Sequence, residues 1–343
     1  MAKVVVTPGV GIRVTAGETP PLAATEVLIA PRYSYISAGT ELKSVVGARD
    51  ASPGDESRPL GYSQAGTVLA AGADVQRVAA GDRVVAIGRG AFHATRTVVG
   101  QNLVVPVPAG VALAEASIAA MFCFALEAVH KSRVRLGQKV VVFGAGLMGQ
   151  LAARLYRMSG AEVAVVDGLE FRRDHLPTQV LAVAPDARGW TQLGAWAQPY
   201  GVEHACIGFG GDATDSIERL KPLMSTGPDG VSAGRIVFPG GAAIHLMMAS
   251  AMGNIELLSS AKAGPGYRDA HYESGADYPA AYVRHPVRRN IETMINLLQN
   301  RRLDVSELIT HRYPYVAAAD AYRALRERPG EIVAALLDYG ETN

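Results

Sequence analysis

Cysteine is scarce in this chain. Cys123 and Cys206 are the two in 343 residues, and each lies inside an apolar run. Two buried thiols build no disulfide framework, and such a chain is expected in a reducing compartment, here the cytoplasm. There is also no apolar run of the ~18 residues that would cross a bilayer. The opening Met-Ala-Lys-Val-Val-Val has no apolar signal stretch behind a basic start. Neither sign of charge is in excess, since 33 Lys plus Arg against 32 Asp plus Glu leave a net charge of +1. That balance excludes the electrostatic footprint of a nucleic-acid binder or of a protein drawn to an acidic membrane surface. Internal repeats and low-complexity tracts are missing too. What remains is a chain that is 49% hydrophobic and long enough for two domains, each with its own core. A small molecule is its expected partner.

The most informative stretch runs from Lys139 to Asp167. Val140-Val141-Val142-Phe143 reads as a buried strand. Gly144, Gly146 and Gly149 follow as G-x-G-x-x-G, then a helix with Leu151, Leu155 and Met158 on one face, then a second strand from Val163 to Val166. Gly144 permits the tight turn. Gly146, without a Cβ, lets the backbone approach a pyrophosphate, and Gly149 lets the helix pack against the strand. The first helical residues, Leu147 and Met148, turn unpaired N–H groups and the positive end of the helix toward the phosphates. Asp167 closes the second strand 23 residues after Gly144, near the expected spacing of about 20, where a carboxylate accepts the ribose hydroxyls. This points to NAD. Arg172 and Arg173 follow closely enough to receive a 2′-phosphate, which keeps NADP open. Gly208, at the end of the later strand Ala205-Cys206-Ile207, joins the expected cofactor set.

Residues 1 to about 115 hold short apolar or alternating runs at Val4–Val6, Glu26–Ala30, Thr67–Ala70, Arg83–Ile87 and Thr95–Val99, punctuated by Gly, Pro and Asp. Such spacing predicts a small barrel or sandwich. Residues 47–61 read as a long polar loop, and 114–133 as one helix. From Lys139 to about Gly241 strand and helix alternate, which predicts a parallel, doubly wound sheet. Residues 225–234 read as loop. An amphipathic helix is expected over Asn290–Asn300, then a strand, a helix from about Ala317 and a last strand at Ile332–Leu337.

This order resembles the medium-chain dehydrogenase/reductase superfamily. Gly39-Thr40-Glu41-Leu42 is similar to its G-[ST]-[DE]-L turn, and Gly61-Tyr62-Ser63-Gln64-Ala65-Gly66 to its G-H-E-x-x-G strand entry. Val78 to Val84 resembles its V-x-x-x-x-G-D-R-V barrel turn, and Gly137-Gln138-Lys139-Val140 its lead-in to the glycine motif. The resemblance implies an α/β fold: a GroES-like β-barrel domain over 1–115 and 285–343, and a Rossmann domain over 116–284. It also implies a homodimer. The departures concern metal. Zinc members carry Cys before the G-[ST]-[DE] turn and His-Glu in the strand entry, whereas this chain has Ala38, Tyr62 and Ser63 there. Ala has no donor atom, and Tyr and Ser are poor zinc ligands. A structural zinc lobe needs four cysteines. The expectation is therefore no zinc. Residues 263–290 further resemble a segment of zinc-independent sugar- or inositol-type oxidoreductases, through Gly264, Pro265, Gly266, Asp269, Tyr272, Tyr278, Pro279, Tyr282, Val283, Arg284 and Asn290, with His285 in place of an aromatic.

Without a metal, hydride transfer at an alcohol carbon needs a group to move the hydroxyl proton and one to stabilise the oxyanion. By the resemblance, Tyr62 stands at the reacting centre, Thr40 matches a proton-relaying hydroxyl, and Glu41 matches a carboxylate that orients a ligand. These three are the expected catalytic residues; Lys43 follows the turn and is read as a solvated lysine rather than as a cation that lowers the Tyr62 pKa. His93, Tyr272, Tyr282 and Arg284, with His271 beside them, are the expected substrate contacts. Each has a plain alternative: a pocket wall, a turn cap, a core histidine, an interdomain contact. The reading is a zinc-independent NAD(P)-dependent oxidoreductase acting on a sugar, cyclitol or similar polar metabolite. C=C or quinone reduction, epimerisation with a retained cofactor, and dinucleotide binding without catalysis are the rivals.

Overall fold

The computed structural model describes residues 1–49 and 57–340. The chain divides into two compact units, Met1–Cys123 with Ala263–Asn343, and Phe124–Lys262. The return to the first unit thus comes earlier than the expected 285. Polar contacts explain why. Asn102 Nδ2 donates to the Tyr272 carbonyl at 2.8 Å. Arg77 and Arg288 both donate to Asn102 Oδ1, at 2.9 and 2.6 Å, so the segment after 263 is fastened to the β-rich unit.

The first unit carries a small antiparallel sheet of Gly11–Ala16, Ala2–Thr7 and Arg58–Pro59, and a larger one of seven strands. The larger runs in the order His311–Pro314, Ala335–Asp338, Glu26–Ile36, Ser63–Ala71, Arg83–Ile87 and Val104–Pro106, with Thr97–Gly100 also paired to Glu26–Ile36. Val4, Val6, Ile36, Leu60 and Leu337 pack with Ala321, Tyr322 and Leu325 of the Ala318–Glu327 helix in one apolar cluster.

The second unit has the expected parallel sheet. Its strands lie in the order Leu181–Val183, Glu162–Val166, Lys139–Phe143, His204–Ile207, Ser232–Phe238 and Asn254–Ser259. Numbered along the chain, that is the 3-2-1-4-5-6 order of a dinucleotide-binding sheet. Val141, Phe143, Ala164, Val166, Ala205 and Ile207 meet Leu193 and Ile217 of the flanking helices. Lys139, almost fully buried at 7% exposure, donates from Nζ to the Trp196 and Gln198 carbonyls at 2.7 Å each, and so neutralises the C-terminus of the Ala187–Ala197 helix.

Several expectations need correcting. Residues 39–42 open the helix Ala38–Arg49 rather than a turn. That helix also takes the start of the polar stretch read as a loop, while 50–56 lie outside the described residues. The helix read over 114–133 is two, Leu113–Ala116 and Ala119–Ser132. Ser63 fills the break, donating to the Ser117 carbonyl at 2.6 Å and accepting from Ala120 N at 3.1 Å. Residues 225–234 hold a strand pair, Ser225–Thr226 against Ser232–Ala233, whose Gly and Ser content hid its alternation. Among the described residues no helix is long and apolar enough to cross a membrane.

Candidate active site and cofactor cradle

Ser37 ends the Glu26–Ile36 strand and starts the helix behind it. Its carbonyl accepts from Thr40 N at 3.1 Å and Glu41 N at 2.8 Å. Its own N–H donates to Glu41 Oε1 at 2.8 Å, a reach-back like a capping box one residue further along the helix. This draws Glu41 inward, to 3% exposure. Its other oxygen, Oε2, accepts from His93 Nε2 at 3.1 Å and from the Tyr322 hydroxyl. His93 Nδ1 meets Ser34 Oγ at 2.7 Å, and Ser34 Oγ meets the Tyr339 hydroxyl at 3.0 Å. A carboxylate can only accept, so Nε2 carries a proton. With a neutral ring, donation then runs from Tyr339 to Ser34 to His93 to Glu41.

Tyr62 stands at the edge of this network. Its hydroxyl donates to Ser37 Oγ at 2.5 Å and lies 3.8 Å from Met121 Sδ. Burial pushes the phenol pKa well above its ordinary value. A hydrogen bond with Ser37 opposes the rise, the Glu41 carboxylate adds to it, and a bond with Thr40 opposes it more weakly. Lys43 is exposed, as a solvated lysine would be, and the carboxylate of Glu41 raises the Tyr62 pKa. Tyr62 stays protonated at neutral pH. The fold brings Thr40, Glu41 and Tyr62 together around Ser37.

The expected substrate contacts lie differently. His93 is fully buried at 0% exposure, with both ring nitrogens engaged, and braces Glu41. Tyr272 is buried and stacks on Tyr278 at 5.0 Å. Tyr278 donates to Asp269, whose Oδ1 caps the short Ala270–Glu273 helix. Tyr282, 87% exposed, Arg284 and His271 face solvent. Tyr267 does lie near Tyr62, buried to 6% exposure. Sequence reasoning missed Ser34, Ser37, Tyr267, Tyr322 and Tyr339. Only Ser37 had a local signal, as a serine just before a helix with Glu41 behind it.

In the second unit the glycine motif is a shaped cradle. Gly144 adopts φ 91°, which favours glycine. A Cβ on Gly149 would lie 1.7 Å from the Gly144 carbonyl oxygen, so the Leu147–Met158 helix reaches the strand only because that atom is missing. Gly208 backs the same contact, its own Cβ position 3.2 Å from the Phe143 oxygen and 3.5 Å from Gly149 Cα. Gly146 is the open one, with Arg172 Nη1, 3.8 Å from its Cβ position, as its nearest neighbour. Leu147 and Met148 form the first turn beside it. Asp167 Oδ2 accepts from Ala145 N at 2.6 Å, and Oδ1 from Leu169 N at 2.7 Å. The carboxylate is thus fixed at the turn, and each oxygen keeps a second lone pair for a ribose hydroxyl. Arg173 Nη1 donates to the Asp167 carbonyl at 2.7 Å. These residues fit a dinucleotide.

At the three positions where the resembled zinc proteins carry ligands, Ala38 has no donor atom, and the Tyr62 and Ser63 hydroxyls, poor zinc ligands, are already hydrogen-bonded.

No protein-family model matches the chain. It is 36% identical over 163 residues to the low-reducing polyketide synthase drtA of Aspergillus calidoustus, which covers 47% of this chain and 7% of that protein. It is 28% identical over 222 residues to the D-xylulose reductase of Scheffersomyces stipitis, covering 60% of this chain and 53% of that one. The chain therefore spans a small part of the first synthase and about half of the reductase. The crystal structure of galactitol-1-phosphate dehydrogenase from Escherichia coli superposes with a TM-score of 0.77 at 18% identity, covering 98% of this chain and 100% of that one. The fold is thus the two-part α/β fold of alcohol and polyol dehydrogenases.

Proposed function

We propose that the protein is a zinc-independent, NAD(P)-dependent oxidoreductase of the medium-chain dehydrogenase/reductase type. Its substrate would be the hydroxyl or ketone carbon of a sugar, cyclitol or similar polar metabolite. The observation that carries this reading is the cradle at Gly144–Gly149, closed where the helix must pack and open at Gly146, with Asp167 fixed beside it. Gly146 and the first turn of the helix would hold the pyrophosphate of a nicotinamide dinucleotide and Asp167 its ribose, which favours NAD, and the nicotinamide would supply or accept the hydride. Arg172 and Arg173 are the groups that would meet a 2′-phosphate.

The proton belongs to Tyr62. Burial and Glu41 keep the phenol protonated and make it a weak acid, so at neutral pH it carries the proton that a substrate oxygen gains in carbonyl reduction. Ser37 and Thr40 are the hydroxyls from which Tyr62 is reprotonated. Glu41, held by Ser37 N, His93 and Tyr322, keeps the helix start and its hydroxyls in place.

The test is the reduced-nicotinamide absorbance with NAD or NADP and a panel of sugars, cyclitols and keto-sugars, using wild type and Tyr62→Phe. Loss of the phenol should lower turnover by about 10²–10⁴-fold with dinucleotide affinity unchanged. Full turnover in both Tyr62→Phe and Glu41→Ala would refute the assignment. The stretch shared with a reducing polyketide synthase favours one second reading, reduction of an activated C=C bond. Dinucleotide oxidation by an enone but by no keto-sugar would select it.

A further inference from the structure

We propose that Arg268 and Arg89 form an anion subsite beside Tyr62, so that the substrate is a polyhydroxylated molecule carrying a phosphate or carboxylate group. This deepens the reading above and rests on it. The placement starts at Gly88, whose N–H donates to the Tyr62 carbonyl at 2.8 Å. Gly88 has φ +84°, and a Cβ there would lie 3.1 Å from Tyr267 Cε2, so the ring edge of Tyr267 rests on it. Arg89 comes next in the chain on one side and Arg268 follows Tyr267 on the other. The Arg268 guanidinium carbon lies 5.9 Å from the Tyr267 ring centroid.

Arg268 is held in an unusual backbone state. Among the described residues three outside glycine have positive φ: Arg133, Arg268 and Arg301. Arg133 directly follows the Ala119–Ser132 helix, and Arg301 follows Asn300, the C-cap of the Val287–Gln299 helix, positions where a left-handed residue commonly closes the last turn. Arg268, at φ 64°, ends no helix. Its conformation is fixed from outside, by donation of its N–H to Glu273 Oε1 at 2.8 Å. A left-handed conformation is unfavourable for a long side chain, and such residues persist where the surroundings impose them, often at binding sites.

The charges are available. Arg89 and Arg268 are exposed, and among the described residues neither makes an ion pair. Both act on the Glu273 carboxylate, which burial raises and the two arginines lower. Glu273 accepts from the Arg268 backbone, and Asp269 accepts from Tyr278 and from the backbone of its own helix. The two guanidinium groups thus share their surroundings with two carboxylates, Glu273 and Asp269, each already accepting hydrogen bonds, and a guanidinium fork suits phosphate and carboxylate oxygens.

The experiment is calorimetric titration of the whole protein with sorbitol, gluconate, sorbitol 6-phosphate and inorganic phosphate. Wild type, Arg268→Asn and Arg89→Gln are compared. Asn tolerates a left-handed backbone, so Arg268→Asn removes the cation and keeps the turn. At least one of gluconate and sorbitol 6-phosphate should bind about tenfold or more tightly than sorbitol, and this preference should weaken with added salt. Either substitution should reduce the preference by about tenfold, leaving sorbitol affinity and melting temperature unchanged. Equal binding of all three polyols, no measurable binding of any anion, or an anion preference that survives Arg268→Asn overturns the proposal. Failure of the oxidoreductase reading shows separately, as absent dinucleotide binding in a protein that still selects anions.

Discussion

Gly146→Ala separates a glycine kept for a ligand from one kept for the fold. At Gly146 the backbone has φ −66° and ψ 178°, open to any L residue, and the added Cβ would meet only Arg172 Nη1 at 3.8 Å. The protein should fold normally, with a gain of about 0.4–1 kcal/mol from the reduced freedom of its unfolded chain. The methyl group nevertheless stands where the pyrophosphate must approach. A misfit of about 1–3 kcal/mol corresponds to roughly 5–150-fold weaker dinucleotide binding. Gly149→Ala is the contrast. Its Cβ would lie 1.7 Å from the Gly144 oxygen and 2.8 Å from the Gly144 carbonyl carbon, so helix and strand must part. That should cost about 3 kcal/mol or more of stability. Fluorescence titration with reduced dinucleotide, together with urea unfolding, reads both quantities. A folded Gly146→Ala protein with wild-type affinity would refute the cradle and with it the functional reading.

Three further outcomes follow from the geometry. Tyr322→Phe keeps the ring and removes one of the donors to the buried Glu41 carboxylate, so it should cost about 1.5–3 kcal/mol, read as a lower urea midpoint. His204 is pushed down to about 4 by burial and by Arg235. The unfolded chain therefore binds a proton that the folded one refuses, and stability should fall by about 2–3 kcal/mol as pH drops from 6.5 to 4. Urea midpoints across that range should flatten in His204→Gln. Exhaustive chelation should leave turnover unchanged, and elemental analysis should find zinc far below one per chain; activity that dies on chelation and returns with zinc would contradict the donor chemistry of Ala38, Tyr62 and Ser63.

The second unit was legible because its signals are local. Val140 to Phe143, the three glycines and Asp167 lie within one strand–helix–strand unit, and the spacing alone dictates what they build. The first unit was legible in outline. Its strands were found by alternation, but the helix at Ala38–Arg49 was not, since Gly39 and Gly47 weaken helix propensity there and no apolar stripe marks a face. Thr40, Glu41 and Tyr62 were identified by resemblance. The sign of the Tyr62 shift was not, because it depends on which charge the fold brings nearest. Tyr322 and Tyr339 carry no local signal at all. Tyr282 and Arg284 illustrate the converse, since residues of the right chemistry in the right segment face solvent.

Glu41 is synthesised early and completed late. Its third donor, Tyr322, lies 281 residues further along the chain. At a synthesis rate of about 5–20 residues per second, the carboxylate waits roughly 14–56 s on the ribosome for that partner. Of the strands that extend the same sheet, His311–Pro314 is made shortly before Tyr322 and Ala335–Asp338 shortly after it. Residues 124–262 form one contiguous compact unit. During translation residues 124–262 are therefore all made before Tyr322, while the unit that holds Tyr62 stays unfinished until Tyr322 has been added.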